Sequence, residues 1–427
     1  MALGKDGGMA QGKPAGQTAR GGAVALLNAI LGEGRLLSQL LTDDGPLAGL
    51  SGPERARAQR LTLAVLRAVE PVDRLLSPLL RRVPPLMAMN VLRLAVVELA
   101  GGAAPHGVVN EAVSLMRAGR KTTHQAGLVN AVLRQLPPDL KLPGPAQRLP
   151  RWLRQPLVHA WGREAVSAME AVFAVSPPLD LTLRAGAEVP AGTLLPTGSL
   201  RLEEPGQVSA LPGYAAGGWW VQDAAAALAA PLLGSVAGQR VLDLCAAPGG
   251  KTLQLAAAGA EVTALDISEP RLARLRENLA RTGLTAQVVA ADALVWQPEA
   301  PFDAILLDAP CSASGTLRRH PDLPFVKDGS ELPGLIALQA QLLDRALGWL
   351  RPGGRLVYCT CSLLPEEGEA QLTAALARHP GLRVVAPALP GIEPGWITPE
   401  GALRLRPDHW ADLGGMDGFF MVCLTRD

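Results

Sequence analysis

Apolar residues recur at intervals of three and four positions through the first third of the chain, from residue 18 to residue 136. The stretches ARGGAVALLNAIL, MAMNVLRLAVVELA and VVNEAVSLMRA show this spacing, which places their apolar side chains on one face of a helix. Ser51 and Pro53 mark the start of one helix, because serine caps helix N-termini and proline fits the first turn. Strand patterns are missing from this part of the sequence. The sequence therefore predicts an all-α domain of about five to seven helices.

The pattern changes after residue 239. Five short, mostly apolar runs follow, namely RVLDLCAAP, EVTALDIS, AQVVAADA, FDAILLDAP and GRLVYCTCS. Helical patterns separate several of them, as at 271–283 and 335–350. Alternating strands and helices predict an α/β domain with a parallel sheet covered by helices on both faces. The last run, FFMVCLTR at 419–426, predicts a late edge or hairpin strand.

These patterns divide the chain into five parts. We expect a disordered tail at 1–17, the helical domain at 18–138, a proline-rich linker at 139–150, a small α/β subdomain at 151–218 and the main α/β domain at 219–427.

Composition excludes several classes of protein. The chain has 427 residues, of which 48% are hydrophobic and 19% are charged, so we expect most of it to fold. Its longest apolar stretch, 224–238, is interrupted by Pro231 and Gly234, and the first residues lack an apolar signal core. Five cysteines at irregular spacing do not suit a secreted disulfide framework. We expect a cytosolic protein with free thiols, without a membrane span or a signal peptide.

Charge is distributed unevenly along the chain. Residues 1–150 carry 18 Lys and Arg against 10 Asp and Glu, whereas residues 151–427 carry 22 against 29. A basic helical domain suggests a polyanionic partner such as nucleic acid. The alternative is an ordinary solvated helical surface.

A glycine-containing loop follows the first strand of the α/β domain, with the sequence DLCAAPGGKT at 243–252. Ligands of such sheets bind at the carboxyl ends of the strands. A phosphate-binding P-loop would need glycine at position 245, which is cysteine, and the dinucleotide fingerprint GxGxxG is also missing. The third candidate ligand is S-adenosylmethionine.

Three acids stand at the ends of successive strands. Asp266 follows the glycine loop by about 16 residues and is placed to hold ribose hydroxyls, as acids do in dinucleotide sites. Asp292 ends the third strand, where it can face an adenine amino group, and Asp308 ends the fourth. Any one of these acids has a structural alternative as a helix cap.

Two cysteines also follow strands, Cys311 in DAPCS and Cys361 in TCS. If the two strands are neighbours, Asp308, Cys311 and Cys361 converge beside the cofactor loop. Such a group suits methylation of cytosine at C5, which needs a thiolate to add to C6, an acid to hold the base and a proton acceptor.

The other cysteines suit packing. Cys423 lies in an apolar run, Cys245 precedes the glycine loop, and Cys359 would lie behind Cys361 as a packing residue. A metal site is a weak alternative, because C-x-C has neither a second pair nor a nearby histidine.

At this point the motifs resemble a known family. DLCAAPGGKT, DAPCSASGTLRRHPD and YCTCSLLPEEGE resemble the RNA cytosine-5 methyltransferases of the NOL1/NOP2/Sun group, as do WWVQDAAAALAA and GMDGFFMVCLTR. HGVVNEAVSLMR and GLVNAVLRQL are similar to NusB, a small RNA-binding protein. The combination is typical of bacterial 16S ribosomal RNA cytosine-5 methyltransferases of the RsmB (Sun) type. It implies a Rossmann-like class I methyltransferase domain preceded by an all-α, NusB-like RNA-binding domain.

The resemblance also implies roles for individual residues. Cys361 would be the nucleophile, Cys311 would assist breakdown of the covalent adduct, and Asp308 would contact the target base or the cofactor. S-adenosylmethionine would be bound by the loop and the strand-end acids, that is, by Cys245, Ala246, Ala247, Pro248, Gly249, Gly250, Lys251, Asp266, Asp292 and Asp308. Ala313 and Ser314 depart from the family, which usually has glycine and threonine there.

Basic residues after the DAPCS motif suggest where RNA binds. Arg318, Arg319 and His320 are the candidates for phosphate contacts, with ordinary surface charge as the alternative. Trp219 and Trp220 either stack on bases or belong to the core. The expected partner is 16S ribosomal RNA, with transfer RNA, or a catalytically idle assembly factor, as alternatives. We expect a monomer without a metal.

Overall fold

The computed structural model describes residues 18–203 and 206–426. The chain forms two compact units. The first consists of the described residues up to Pro150 together with His320–Lys327, and the second of Arg151–Arg319 with the residues from Asp328 onward. The expected tail at 1–17 lies outside the described residues.

The described residues contain helices and strands whose bounds position every motif. The α-helices are α1 Ala19–Glu33, α2 Leu37–Leu40, α3 Gly52–Leu66, α4 Val69–Leu76, α5 Leu86–Ala100, α6 Pro105–Ala118, α7 Ala126–Leu133, α8 Arg151–Phe173, α9 Gly250–Ala257, α10 Glu269–Thr282, α11 Leu323–Val326, α12 Leu332–Trp349 and α13 Glu369–Arg378. The strands are β1 Leu179–Leu183, β2 Thr193–Leu194, β3 Leu200–Leu202, β4 Trp219–Val221, β5 Arg240–Leu244, β6 Glu261–Asp266, β7 Gln287–Ala290, β8 Phe302–Asp308, β9 Leu350–Thr360, β10 Leu382–Val385, β11 Leu403–Leu405 and β12 Phe419–Arg426.

The first unit is helical, as predicted, and α1 to α7 fall in it. Thr18 caps the N-terminus of helix α1, where its hydroxyl accepts a hydrogen bond from the N–H of Gly21 at 3.1 Å. Gly34 caps the C-terminus in a left-handed conformation with φ 66°. Leu26, Leu27 and Ile30 on its inner face are fully buried. Each buried side chain of this size stabilises the fold by about 1.5–3 kcal/mol.

A short segment from the second half of the sequence, His320–Lys327, belongs to this helical unit. Phe325 and Val326 pack against its core, and the backbone N–H of Leu37 donates to the Asp322 carboxylate at 2.9 Å. This differs from the expected contiguous domain at 219–427. The pattern of the sequence gives no signal for it, because the segment contributes only four helical residues in α11.

The second unit contains a small antiparallel sheet with strand order β2-β3-β1-β4. Strand β4 pairs with β1, with Trp220 opposite Thr182. The expected boundary between residues 218 and 219 therefore cuts through this sheet. Trp219 is fully buried and Trp220 is 3% exposed, so both tryptophans belong to the core and neither is available to stack on RNA.

The main sheet has the strand order β10-β12-β9-β8-β5-β6-β7, and β11 pairs with β12. Strands β5 to β9 are parallel, which confirms the predicted α/β fold. Residues of one face, such as Leu307 and Tyr358, pack with helices α12 and α13, and alternate residues such as Leu306 and Cys359 pack on the opposite face.

The last strand was expected to be an edge or hairpin strand. The edge alternative was wrong, whereas the antiparallel pairing of β12 with the preceding strand β11 agrees with the hairpin alternative. Strand β12 lies between β9 and β10 and runs antiparallel to both. Its first six residues are buried. This burial fits a strand that has packed side chains on both faces of the sheet and a neighbouring strand along each edge. Cys423 is 2% exposed there, which fits its interpretation as a packing residue.

Candidate active site

The two motif cysteines meet at the carboxyl ends of β8 and β9. These strands are neighbours, with Asp308 opposite Cys359, and the sulfur atoms of Cys311 and Cys361 lie 3.3 Å apart. The N–H of Gly315 donates to the carbonyl of Cys361 at 2.9 Å, which ties one cysteine loop to the other. The structure therefore brings together two thiols that are 50 residues apart in sequence.

The contact between the thiols affects the protonation of Cys311. The hydrogen bond with Cys361 raises the pKa of Cys311 well above its usual value, and burial acts in the same direction. Cys311 therefore keeps its proton at neutral pH.

The Asp308 carboxylate, at the end of β8, has two partners. Its Oδ2 accepts from the Lys251 ammonium at 2.8 Å, and its Oδ1 accepts from the Cys359 thiol at 3.4 Å. Burial opposes the charge on Lys251, but Asp308 outweighs that effect and the pKa of Lys251 is raised. Burial and then the charge of Asp308 raise the pKa of Cys359, so this thiol stays neutral. Cys359 is buried as expected, but the sequence did not indicate its contact with Asp308.

The candidate cofactor loop is held against the end of β6. Cys245 has a positive φ of 64°, and the N–H groups of Ala246 and Ala247 donate to the Leu265 carbonyl and the Asp266 carboxylate at 3.0 and 3.1 Å. Gly249 has φ 106°, and a Cβ there would lie 2.2 Å from Leu275 of α10. Only glycine allows this turn to enter α9, whose first N–H groups have no carbonyl of the helix to bind.

Two of the predicted acids flank a partly apolar surface. Asp266 is 3% exposed and accepts from the N–H groups of Ala247 and Ser268, whereas Asp292 is exposed and accepts from the N–H of Leu294 at 2.8 Å. Ile267, next to Asp266, is 71% exposed, and Leu294 is 37% exposed. Sequence reasoning missed both apolar side chains. For Ile267, the available signal was an apolar residue directly after a strand-end acid.

A further acid at the base of the loop was missed as well. Asp243 is fully buried in β5, and its Oδ2 accepts from the Thr252 hydroxyl at 2.5 Å. Its Oδ1 has no hydrogen-bond partner among the described residues. Burial raises the pKa of Asp243 to about 7. An acid within an otherwise apolar strand was the signal for such a group.

Arg318 is not a surface residue, so its expected contact with RNA phosphates was wrong. Its side chain is fully buried and donates to Asp417 at 2.9 Å and to Asp223 at 3.1 Å. Arg319 binds the same two acids and keeps 23% of its side chain exposed. Burial, and then the neighbouring Asp223, raises the pKa of Asp417 to about 7. Of the three basic residues, His320 is the exposed one.

The departure from the family motif falls at a special backbone position. Ala313 adopts a left-handed conformation with φ 59°, which costs a residue with a Cβ about 1–2 kcal/mol. The glycine that the family usually has there avoids this cost. The hydroxyl of Ser314 contacts that of Ser362 at 3.1 Å, so this serine takes part in joining the two cysteine loops.

Comparison with known proteins accounts for both units. A family model described as 16S rRNA methyltransferase RsmB/F matches residues 230–425, and the NusB family model matches residues 17–137. The chain is 37% identical over 448 residues to ribosomal RNA small subunit methyltransferase B of Xanthomonas campestris, covering 96% of this chain and 98% of that protein. The chain belongs to the RsmB/F family of 16S ribosomal RNA methyltransferases.

Further relatives of the RsmB/F family agree. The methyltransferase B of Pseudomonas syringae is 41% identical over 331 residues, covering 70% of this chain and 72% of its own. The crystal structure of PH0851 shares the fold, with a TM-score of 0.71 and 23% identity over 97% of this chain and 100% of its own. A methyltransferase homolog from Pyrococcus horikoshii has a TM-score of 0.53 and 28% identity over 64% of this chain and 94% of its own.

RsmB/F proteins use S-adenosylmethionine as methyl donor, so the chain is an S-adenosylmethionine-dependent methyltransferase of 16S ribosomal RNA with a NusB-like domain. Within residues 18–203 and 206–426, no cluster of three or more His, Cys, Asp or Glu could hold a metal ion. In the same residues, no helix is long and apolar enough to cross a membrane.

Proposed function

We propose that the protein methylates C5 of a cytidine in 16S ribosomal RNA through a transient covalent bond between Cys361 and C6 of the base. The observation that carries this proposal is the pair of thiols of Cys311 and Cys361, 3.3 Å apart at the carboxyl ends of two neighbouring strands, the first of which ends in Asp308. Methylation of a ring nitrogen or a ribose hydroxyl would need neither thiol.

The thiol pair supports a division of labour. The Cys361 thiolate adds to C6, which forms an S–C6 bond and moves the electron pair of the C5–C6 double bond toward N3. N3 takes up a proton from solvent as it receives this electron pair, and the Asp308 carboxylate, neighboured by Lys251, accepts a hydrogen bond from the N3–H that forms. The enamine that results makes C5 nucleophilic enough to accept a methyl group.

Release reverses the addition. Solvent base removes the C5 proton, the C–H electron pair restores the C5–C6 double bond, and the S–C6 bond breaks with its electron pair on the sulfur of Cys361. Cys311, whose raised pKa keeps its proton in place, donates a hydrogen bond to the departing sulfur. A hydrogen bond to the charged leaving group lowers the barrier of this step.

The residues at the strand ends fit S-adenosylmethionine, which supplies an electrophilic methyl group. The Asp266 carboxylate keeps free lone pairs for ribose hydroxyls, since each of its oxygens accepts one backbone N–H. Asp292 is placed for the adenine amino group, and the exposed side chains of Ile267 and Leu294 offer apolar cover for the ring.

The helical unit is proposed to hold the RNA. Residues 1–150 carry 18 basic and 10 acidic side chains, and such an excess of positive charge attracts phosphates. The target cytidine must leave its stack before C5 can reach the methyl donor.

The proposal is tested with methyl-labelled S-adenosylmethionine and 16S ribosomal RNA, followed by digestion to nucleosides. We expect the label in 5-methylcytidine. Label in another nucleoside, or an absence of label with intact cofactor binding, would overturn the chemistry. Preferential labelling of transfer RNA in a parallel reaction would overturn the substrate.

A further inference from the structure

Glu367 lies at the centre of a buried hydrogen-bond cluster behind the two cysteines. Its side chain is fully buried. Its carboxylate accepts from the N–H of Ser312 at 2.8 Å, from the hydroxyls of Ser312 and Ser362 at 2.5 Å each, and from the amide of Gln339 at 3.0 Å. Glu367 was part of a motif quoted above, but nothing in the mechanism used it.

The two serines that bind Glu367 are the direct neighbours of the two thiols. Ser312 follows Cys311, and Ser362 follows Cys361. Both hydroxyls donate to the same oxygen, Oε2, so that a single atom joins the two cysteine loops. Because a carboxylate only accepts hydrogen bonds, it fixes the direction of both hydroxyls at once.

The backbone of Glu367 is also hydrogen-bonded to strand β9. Its carbonyl accepts from the Tyr358 hydroxyl at 2.9 Å and from the Thr360 hydroxyl at 3.0 Å. Both residues lie at the end of β9, directly before Cys361. The carboxylate is therefore fixed relative to the strand that presents the nucleophile, and a shift of either loop would strain these contacts.

A buried carboxylate is costly unless donors surround it. Among the described residues, the side-chain donors to Glu367 are neutral, and its charge is met by hydroxyl, amide and peptide groups. Apolar packing could anchor the two loops without the desolvation free energy that a buried carboxylate costs. Such an arrangement is expected where geometry must be held within a fraction of an ångström.

We propose that Glu367 is a positioning residue that sets the separation of the two sulfur atoms, acting on Cys311 through Ser312 and on Cys361 through Ser362. This inference rests on the proposed function, because it assigns the first thiol to release and the second to attack. Glu367 touches neither the sulfur atoms nor the expected path of the base.

The two serines allow each arm of the clamp to be tested alone. Ser362→Ala is expected to slow formation of the protein–RNA adduct about tenfold, with decay less affected. Ser312→Ala is expected to slow decay about tenfold, with formation less affected. Single-turnover reactions, stopped in denaturant and resolved on gels, measure both rates. Ser199→Ala, which removes a buried serine hydroxyl in the small sheet, is the matched control and should leave both rates unchanged.

Glu367→Gln tests the clamp as a whole. It keeps the size of the side chain but replaces one acceptor oxygen with a donor. We expect both rates to fall while the KM for S-adenosylmethionine stays the same. Equal slowing of both steps in each serine variant, or unchanged rates in all three, would overturn the inference.

A second readout is independent of methylation. Diamide, a thiol oxidant, removes one hydrogen from each of two adjacent thiols and is itself reduced to the hydrazine, and peptide mapping then quantifies the Cys311–Cys361 disulfide. Slower disulfide formation in Glu367→Gln supports the clamp even if the wild type makes no 5-methylcytidine, in which case the proposed function alone fails. Disulfide formation at the wild-type rate in all three variants contradicts the clamp.

Discussion

Burial of the Asp243 carboxyl group in β5 makes the stability of the fold depend on pH. The folded-state pKa of Asp243 is about 7, against an ordinary value of 3.8, because the group is buried. The folded state therefore holds a proton that the unfolded state gives up. This contribution is fully present below pH 3.8 and is lost as the pH rises through about 7.

Asp243→Asn should remove that part of the pH dependence. Between pH 5 and pH 8, the free energy of unfolding of the variant should rise relative to the wild type by about 2 kcal/mol. Urea unfolding at the two pH values measures the difference. Parallel pH profiles of the two proteins would show that the carboxyl group is already ionised in the folded state.

Arg318 should matter for folding, and its effect on RNA binding should be secondary. Arg318→Ala leaves Asp223 and Asp417 buried with Arg319 alone, which is expected to cost about 3–5 kcal/mol. Arg82→Ala, at an exposed position, should change the free energy of unfolding by less than about 0.5 kcal/mol. A stable Arg318→Ala protein that had only lost RNA affinity would restore the original surface interpretation.

The sequence indicated that Cys311 and Cys361 would lie close together if their strands were neighbours. The structure shows β8 and β9 paired and the two sulfur atoms 3.3 Å apart. The long-range partners of Arg318 could not be predicted, because Asp223 and Asp417 lie 95 and 99 positions away from it in the sequence. Because the sequence did not reveal these buried acidic partners, Arg318 was interpreted as a surface residue.

Close contact between three chain segments explains the glycine at position 315, just after the DAPCS motif. The Gly315 carbonyl accepts from the N–H of Gly418 at 2.8 Å, and its own N–H binds the carbonyl of Cys361. A Cβ at Gly315 would lie 2.0 Å from the Gly418 carbonyl oxygen. The loop after β8, the loop after β9 and the start of β12 are thus held at one point.

Gly315→Ala should force these segments apart. We expect a loss of about 1–3 kcal/mol in the free energy of unfolding and at least a tenfold loss in the rate of methylation. Gly348→Ala in α12, where a Cβ meets nothing within 4 Å, is the matched control and should be neutral or stabilising by up to about 1 kcal/mol. Similar behaviour of the two variants in urea unfolding and methylation assays would argue against the contact.

The order of strands was only partly available from the sequence. Apolar runs located β5 to β9 and β12 well, since parallel strands are buried on both faces. The edge prediction for β12 failed because β10 and β11, of four and three residues, were too short to show a pattern. Because these short strands were not predicted, the sequence showed no strand that could pair with β12 on the side away from β9.

The helical unit is completed by residues distant in sequence. Phe325 packs against the helical core although it lies in the segment His320–Lys327, which follows the DAPCS motif. Phe325→Ala is expected to destabilise this unit by about 1–3 kcal/mol and to speed amide hydrogen exchange in α1 and α2 by about tenfold or more. Strands β5 and β8 should be unaffected.

Val83→Ala is the control for this change, since Val83 is in the same unit and 81% exposed. It should leave the exchange of α1 and α2 unchanged. Unchanged protection of α1 and α2 in Phe325→Ala as well would show that the segment contributes nothing to the helical core.

The covalent step tests the account most directly. Cys311→Ala and Cys361→Ala variants are incubated with 16S ribosomal RNA and S-adenosylmethionine, and denaturing gels then measure the protein–RNA adduct. The Cys311→Ala variant should accumulate the adduct, because attack proceeds and release is slow. The Cys361→Ala variant should form none. Accumulation in Cys361→Ala with none in Cys311→Ala would reverse the assigned roles, and an absence of adduct in both would contradict covalent catalysis by this thiol pair.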